Sequence, residues 1–143
     1  FEPRSPHTNL GLGLDFLGRI ARRRAVAFLV SDFLAPTSQY ERSLRIAARR
    51  HDLVPVAVTD PLEEQMPEVG LLQVQDPESD AVVVFDTSGP EGKVFADRNR
   101  AAREAREALF RRLSLEAIAV RTGRPYLPAL TSFFEARARR LRH

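Results

Sequence analysis

The chain has 143 residues, and its 22 lysines and arginines against 19 acids leave a formal net charge of +3. That length suits one domain, and 43% apolar with 29% charged residues is the makeup of a globular chain, not a disordered one. The absence of cysteine excludes disulfides and thiolate metal sites, and no apolar run approaches the ~18 residues of a membrane span.

The opening FEPRSPHTN reads as a loop, and with Phe1 in place of methionine the expectation is an excised piece of a longer protein. Leu10, Leu14, Leu17 and Ala21 recur at helical spacing, which predicts a helix from about Asn9 to Arg23 with Thr8 near its N-cap. The glycines of GLGLDFLG lie inside that helical pattern with no strand before them, so they serve packing, not a dinucleotide. AVAFLVS, 25 to 31, is a continuous apolar run between an arginine block and Pro36, as in a strand covered on both faces. Asp32 then falls at the strand's carboxyl end, where open α/β sheets place their crevices, although Ser31 and Asp32 also suit a turn or a cap. Ser38 and Glu41 form a capping box for a helix ending near Arg50, with Tyr40, Leu44, Ala47 and Ala48 as its buried stripe. LVPVAVT, 53 to 59, is a second buried strand that ends in Asp60, and the helix between the two strands implies a right-handed parallel crossover.

Farther along, GLLQVQD (70–76) and SDAVVVFD (79–86) predict an antiparallel hairpin at a sheet edge. An arginine- and alanine-rich helix follows over about 94–112, then a third parallel strand at 115–120. A closing helix from about Pro125 presents Leu127, Leu130, Phe134, Ala138 and Leu141 on one face. The expected whole is a single domain, 1–143, of the α/β class.

The positive charge is nearly all arginine, because Lys93 is the sole lysine. Its clusters, at 22–24, 49–50, 111–112 and 137–142, fall at predicted helix ends, where they complement the helix dipoles. They read as scattered, so no nucleic-acid partner is expected. His7 and His51 stand in predicted loops and His143 is terminal, which leaves no catalytic triad. Thr8 and Asp32 fall at one edge of the sheet, and a hydroxyl with a carboxylate suits a hard cation such as Mg²⁺, but two ligands make an incomplete site. Asp60, with Glu63 and Glu64, is a second acidic candidate for binding or a metal site, although exposed loop acids are the commoner explanation of such a group.

The stretches HTNLGLGLDFL, RRRAVAFLVSDF, RRHDLVPVAVTDPLEEQMPEVGLLQVQDPES and RPYLPALTSFFEARARR, in that order, resemble the bacterial domain-of-unknown-function family 58. The core of that family looks like a von Willebrand factor A domain, a Rossmann-like parallel sheet with flanking helices. The resemblance implies that Thr8 and Asp32 match the threonine and aspartate of a metal-ion-dependent adhesion site. The Asp-x-Ser-x-Ser loop of such sites occurs nowhere in the chain, so the resemblance covers the C-terminal half of the domain. Mg²⁺ is then expected in the full-length protein and not tightly bound in this fragment. Relatives of this kind are often anchored in membranes on the cytoplasmic side through N-terminal segments and encoded beside MoxR-type AAA+ ATPases. The expected function is therefore a non-enzymatic protein-interaction module in complex assembly. The alternatives are a metal-dependent phosphoryl-transfer enzyme using Asp32 and Asp60, and a structural half-domain without a site. Without its neighbouring strand, the 25–31 edge would invite a homodimer.

Overall fold

The computed structural model describes residues 9–61, 70–75 and 82–140. Helix α1, Leu10–Ile20, begins at Asn9, whose side-chain oxygen accepts a hydrogen bond from the Leu12 N–H at 3.0 Å. The cap is thus Asn9, and Thr8 lies outside the described residues. Strand β1 (Val26–Ser31) leads through a 3₁₀ turn, Thr37–Gln39, to helix α2 (Glu41–Arg50) and strand β2 (Asp52–Thr59). The antiparallel strands β3 (Leu71–Gln75) and β4 (Val82–Asp86) precede helix α3 (Pro90–Arg112), strand β5 (Ile118–Arg121) and helix α4 (Leu127–Arg140).

The parallel sheet has the order β1-β2-β5, in register from Val26↔Asp52 to Ser31↔Ala57 and from Val56↔Ile118 to Thr59↔Arg121. This is the expected α/β class, with β2 at the centre. Pro55 is tolerated there because pairing with β5 begins only at Val56, so on that side its missing N–H removes no ladder bond.

One sheet face builds the main core. Leu53 and Ala57 of β2 meet Leu10 and Leu14 of α1, Leu44 and Ala47 of α2, and Leu109 and Phe110 of α3, with Ala27 and Leu29 of β1 against them. On the other face Val54, Val56 and Ile118 pack with Ala129, Leu130 and Phe133 of α4. Gly11 lets α1 approach the 3₁₀ turn, since a Cβ there would stand 3.0 Å from the Gln39 carbonyl oxygen.

Several expectations need correcting. Strand β1 is not covered on both faces: Val26, Phe28 and Val30 are 60%, 48% and 63% exposed, because α4 lies over β2 and β5. It reaches β1 through Phe134, whose ring is 6.1 Å from that of Phe28. The packed side of α4 is Ala129, Leu130 and Phe133, all partly buried, while Leu127 and Phe134 remain exposed. No capping box forms at α2. The 3₁₀ turn takes up Ser38, and Glu41 is the first helical residue, too early to reach back, so it pairs with Arg45 (2.6 Å) and Arg112 (2.7 Å). The hairpin forms its own two-stranded sheet instead of extending the parallel one. Thr87–Gly89 is too short to carry β4 away from α3, and the Thr87 N–H and hydroxyl both donate to the Gly70 carbonyl at 2.9 Å. Helix α3 starts at Pro90, earlier than the sequence predicts, with proline in its first turn where the missing N–H costs no helical bond.

Candidate functional site

The stretch Ser31-Asp32-Phe33 ends β1 at the carboxyl edge of the sheet, and each residue has a distinct job. The Ser31 hydroxyl accepts from the Phe33 N–H at 3.0 Å, and Asp32 Oδ1 accepts from the Leu34 N–H at 3.1 Å. These two side-chain bonds hold Phe33 at φ 56°, a left-handed conformation that a bulky residue adopts only when its surroundings enforce it. The reward is the Phe33 ring, buried with its centroid 5.2 Å from Phe110 and 5.9 Å from Tyr40. Asp32 therefore works as a turn-former, and the N–H it caps belongs to Leu34, not to the stretch 36–39 where a helix cap would act.

Above this turn runs a crevice between the strand ends and α3. Asp32, Phe33, Leu34 and Thr59 line one side, and Asn99, Arg100, Arg103 and Arg106 line the other. Arg106 is buried, and its Nη1 donates to the Asp32 carbonyl oxygen at 3.3 Å, clamping α3 onto the turn. Arg100 pairs with Asp97 at 2.6 Å. Burial raises the pKa of the Tyr40 hydroxyl, an effect opposed by the Arg106 guanidinium. Sequence reasoning missed Arg106, because a buried arginine in an arginine-rich helix looks like its solvated neighbours.

Asp60, at the end of β2, accepts from the Thr122 hydroxyl at 2.8 Å through Oδ2. It sits on the same edge as Asp32, tied to the end of β5. Thr8, Glu63 and Glu64 lie outside the described residues. Asp32 Oδ1 is engaged in the turn, and among the described residues no three His, Cys, Asp or Glu side chains gather as a metal ligand set. The described donors by themselves do not fit a resident Mg²⁺. His51, in the one-residue link between α2 and β2, is buried. Among the described residues no helix is long and apolar enough to cross a membrane.

Comparisons with known proteins agree with the sequence resemblance. Uncharacterized proteins of Mycobacterium bovis and Mycobacterium tuberculosis are each 32% identical over 137 residues, covering 96% of this chain and 43% of their own length. The chain thus spans less than half of these curated relatives. An uncharacterized protein of Mycobacterium avium is 29% identical over 140 residues, covering 96% of this chain and 82% of that protein. No solved structure matches significantly. The family model described as "Protein of unknown function DUF58" matches residues 1–108, and with the SDF turn and the parallel sheet in place the chain belongs to the DUF58 family.

Proposed function

We propose that this domain is a non-enzymatic protein-interaction module that acts with a MoxR-type AAA+ ATPase in complex assembly. One observation supports the reading most: the bare outer face of β1. Val26, Phe28 and Val30 form an exposed apolar stripe, with the Phe134 ring beside Phe28. Contiguous apolar surface of this kind is the usual mark of a protein contact. Strand β1 is also an edge strand among the described residues, so its backbone can pair with an added strand. The carboxylates of the rival phosphoryl-transfer reading are both occupied locally, Asp32 in its turn and Asp60 by Thr122. Such engagement favours positioning over chemistry, and no contact of the proposed interface runs through a metal.

The test is a calorimetric titration of the chain with the purified ATPase of the same organism. Phe28→Asp and Val30→Asp are expected to weaken binding at least about tenfold, or about 1.4 kcal/mol. Unchanged binding by both variants would remove this surface. A phosphoester hydrolysis lost in both Asp32→Ala and Asp60→Ala would replace the module with an enzyme. A homodimer that Phe28→Asp dissociates, with no binding to the ATPase, would assign the stripe to a second copy.

A further inference from the structure

The parallel topology sends every strand of the main sheet in one direction, so the helices return toward its amino edge and deliver their last turns there. Arg19 ends α1, Arg49 and Arg50 end α2, and Arg139 and Arg140 end α4. Arg22, Arg23 and Arg24 form the exposed link into β1.

Direct contacts show that these ends meet. Arg50 Nη1 donates to the Gly18 carbonyl oxygen at 3.2 Å, joining α2 to α1. The Asp52 N–H donates to the Ala25 carbonyl oxygen at 2.8 Å, and Arg137 pairs with the Asp52 carboxylate. Arg140 pairs with Glu116, and Arg24, Arg137 and Arg140 line one depression with His51. Asp52 and Glu116 thus offset only two arginines of this edge, while Arg22, Arg23, Arg24, Arg49 and Arg139 form no ion pair among the described residues. The clusters at 22–24, 49–50 and 137–140, scattered in sequence, thus gather at one edge of the sheet as a basic face.

Beside that face lies an apolar ridge. Leu10 and Leu14 turn the inner side of α1 into the core, and Leu12, Phe16 and Ile20, four residues apart, are 65%, 60% and 61% exposed on its other side. The ridge runs into Arg19 and the arginines that follow the helix, with Asp15 the acid of this helix.

We propose that α1 and the arginines at its carboxyl end dock this domain on an anionic lipid surface. The helix would lie in the interface with Leu12, Phe16 and Ile20 among the upper acyl chains and the arginines on the phosphate headgroups. An exposed apolar ridge beside concentrated basic charge is how interfacial helices bind, through buried apolar area plus attraction to anionic lipid. A nucleic acid would use the arginines but gain nothing from the ridge. A protein partner would need a groove shaped to a convex helix, whereas a fluid bilayer conforms to it. The docking is independent of the β1 stripe and of any anchoring segment elsewhere in a longer protein.

The test is co-sedimentation of the chain with vesicles of phosphatidylglycerol and phosphatidylcholine in about equal parts, against pure phosphatidylcholine. Binding is expected on the anionic vesicles only, weakening as salt rises. Neutralising Arg22, Arg23 and Arg24 together to Gln is expected to cost about fivefold per residue, about a hundredfold in all. Replacing the same three arginines by Lys keeps the charge and rescues binding, which separates charge loss from misfolding. Phe16→Trp is expected to shift its emission to the blue on anionic vesicles, and Phe16→Ser with Ile20→Ser to weaken binding at fixed salt. Absence of vesicle binding, equal binding to neutral vesicles, or an unmoved emission of the Phe16→Trp variant would overturn the proposal. Binding to duplex DNA combined with vesicle binding that ignores the Phe16→Ser/Ile20→Ser pair would also overturn it, making the face a general polyanion site.

Discussion

On β1, Ala27 and Leu29 pack against the helices of the main core, whereas Val26, Phe28 and Val30, no less apolar, face outward and remain exposed. The two sets alternate along one strand and were equally good candidates for burial. What separates them is whether a second layer lies opposite. Helices α1 and α2 cover the inner face, and α4 covers only the β2 and β5 part of the outer one. Hydrophobic residues become core only where there is something to pack against, and otherwise they are surface available to a partner.

The contrast is sharpest in stability measurements. Just past the strand, Phe33 contributes a fully packed ring, so Phe33→Ala should cost about 3–5 kcal/mol by urea unfolding. Phe28→Ala, on the outer face, removes a ring of the same size and should cost less than about 1 kcal/mol, since an exposed site leaves little cavity. Equal losses at the two positions would mean that the outer face is as well packed as the inner one.

A smaller effect tests how the ring of Phe33 is held. Asp32→Ala removes the acceptor for the Leu34 N–H and should destabilise by about 1 kcal/mol, while Asp32→Asn, which keeps an acceptor oxygen, should retain most of it. Identical losses in the two variants would assign the role of Asp32 to its charge instead of to the turn.

The smallest effect concerns the Tyr40 hydroxyl, which is buried without a hydrogen-bond partner among the described residues. Tyr40→Phe should be neutral or stabilising by up to about 1 kcal/mol at neutral pH, because it removes an unpaired polar group and keeps the ring. Its pH dependence has a definite sign. Burial raises the folded pKa above the ordinary 10.0, so the unfolded chain loses its proton first. Tyr40 therefore leaves stability unchanged below about pH 10 and lowers it as pH rises above that value, and Tyr40→Phe removes this part of the alkaline loss. A steeper alkaline loss in the Phe variant would contradict the burial of the hydroxyl.

The sequence by itself determined the elements and their class. Apolar runs, helical spacing and strand-helix alternation located the strands and α-helices found among the described residues, because period and propensity are local properties of the chain. The hairpin and the parallel sense of β1, β2 and β5 followed from the same local signals. Tertiary structure decided what those elements met. It left half of β1 uncovered, moved the hairpin off the parallel sheet, gave Ser38 to a 3₁₀ turn, and buried Arg106 beneath the turn that Asp32 holds. It also brought the arginines of helix ends far apart in sequence to one edge. Each of these outcomes depends on which surfaces are adjacent in space, and adjacency between residues tens of positions apart leaves no periodic trace in a single chain.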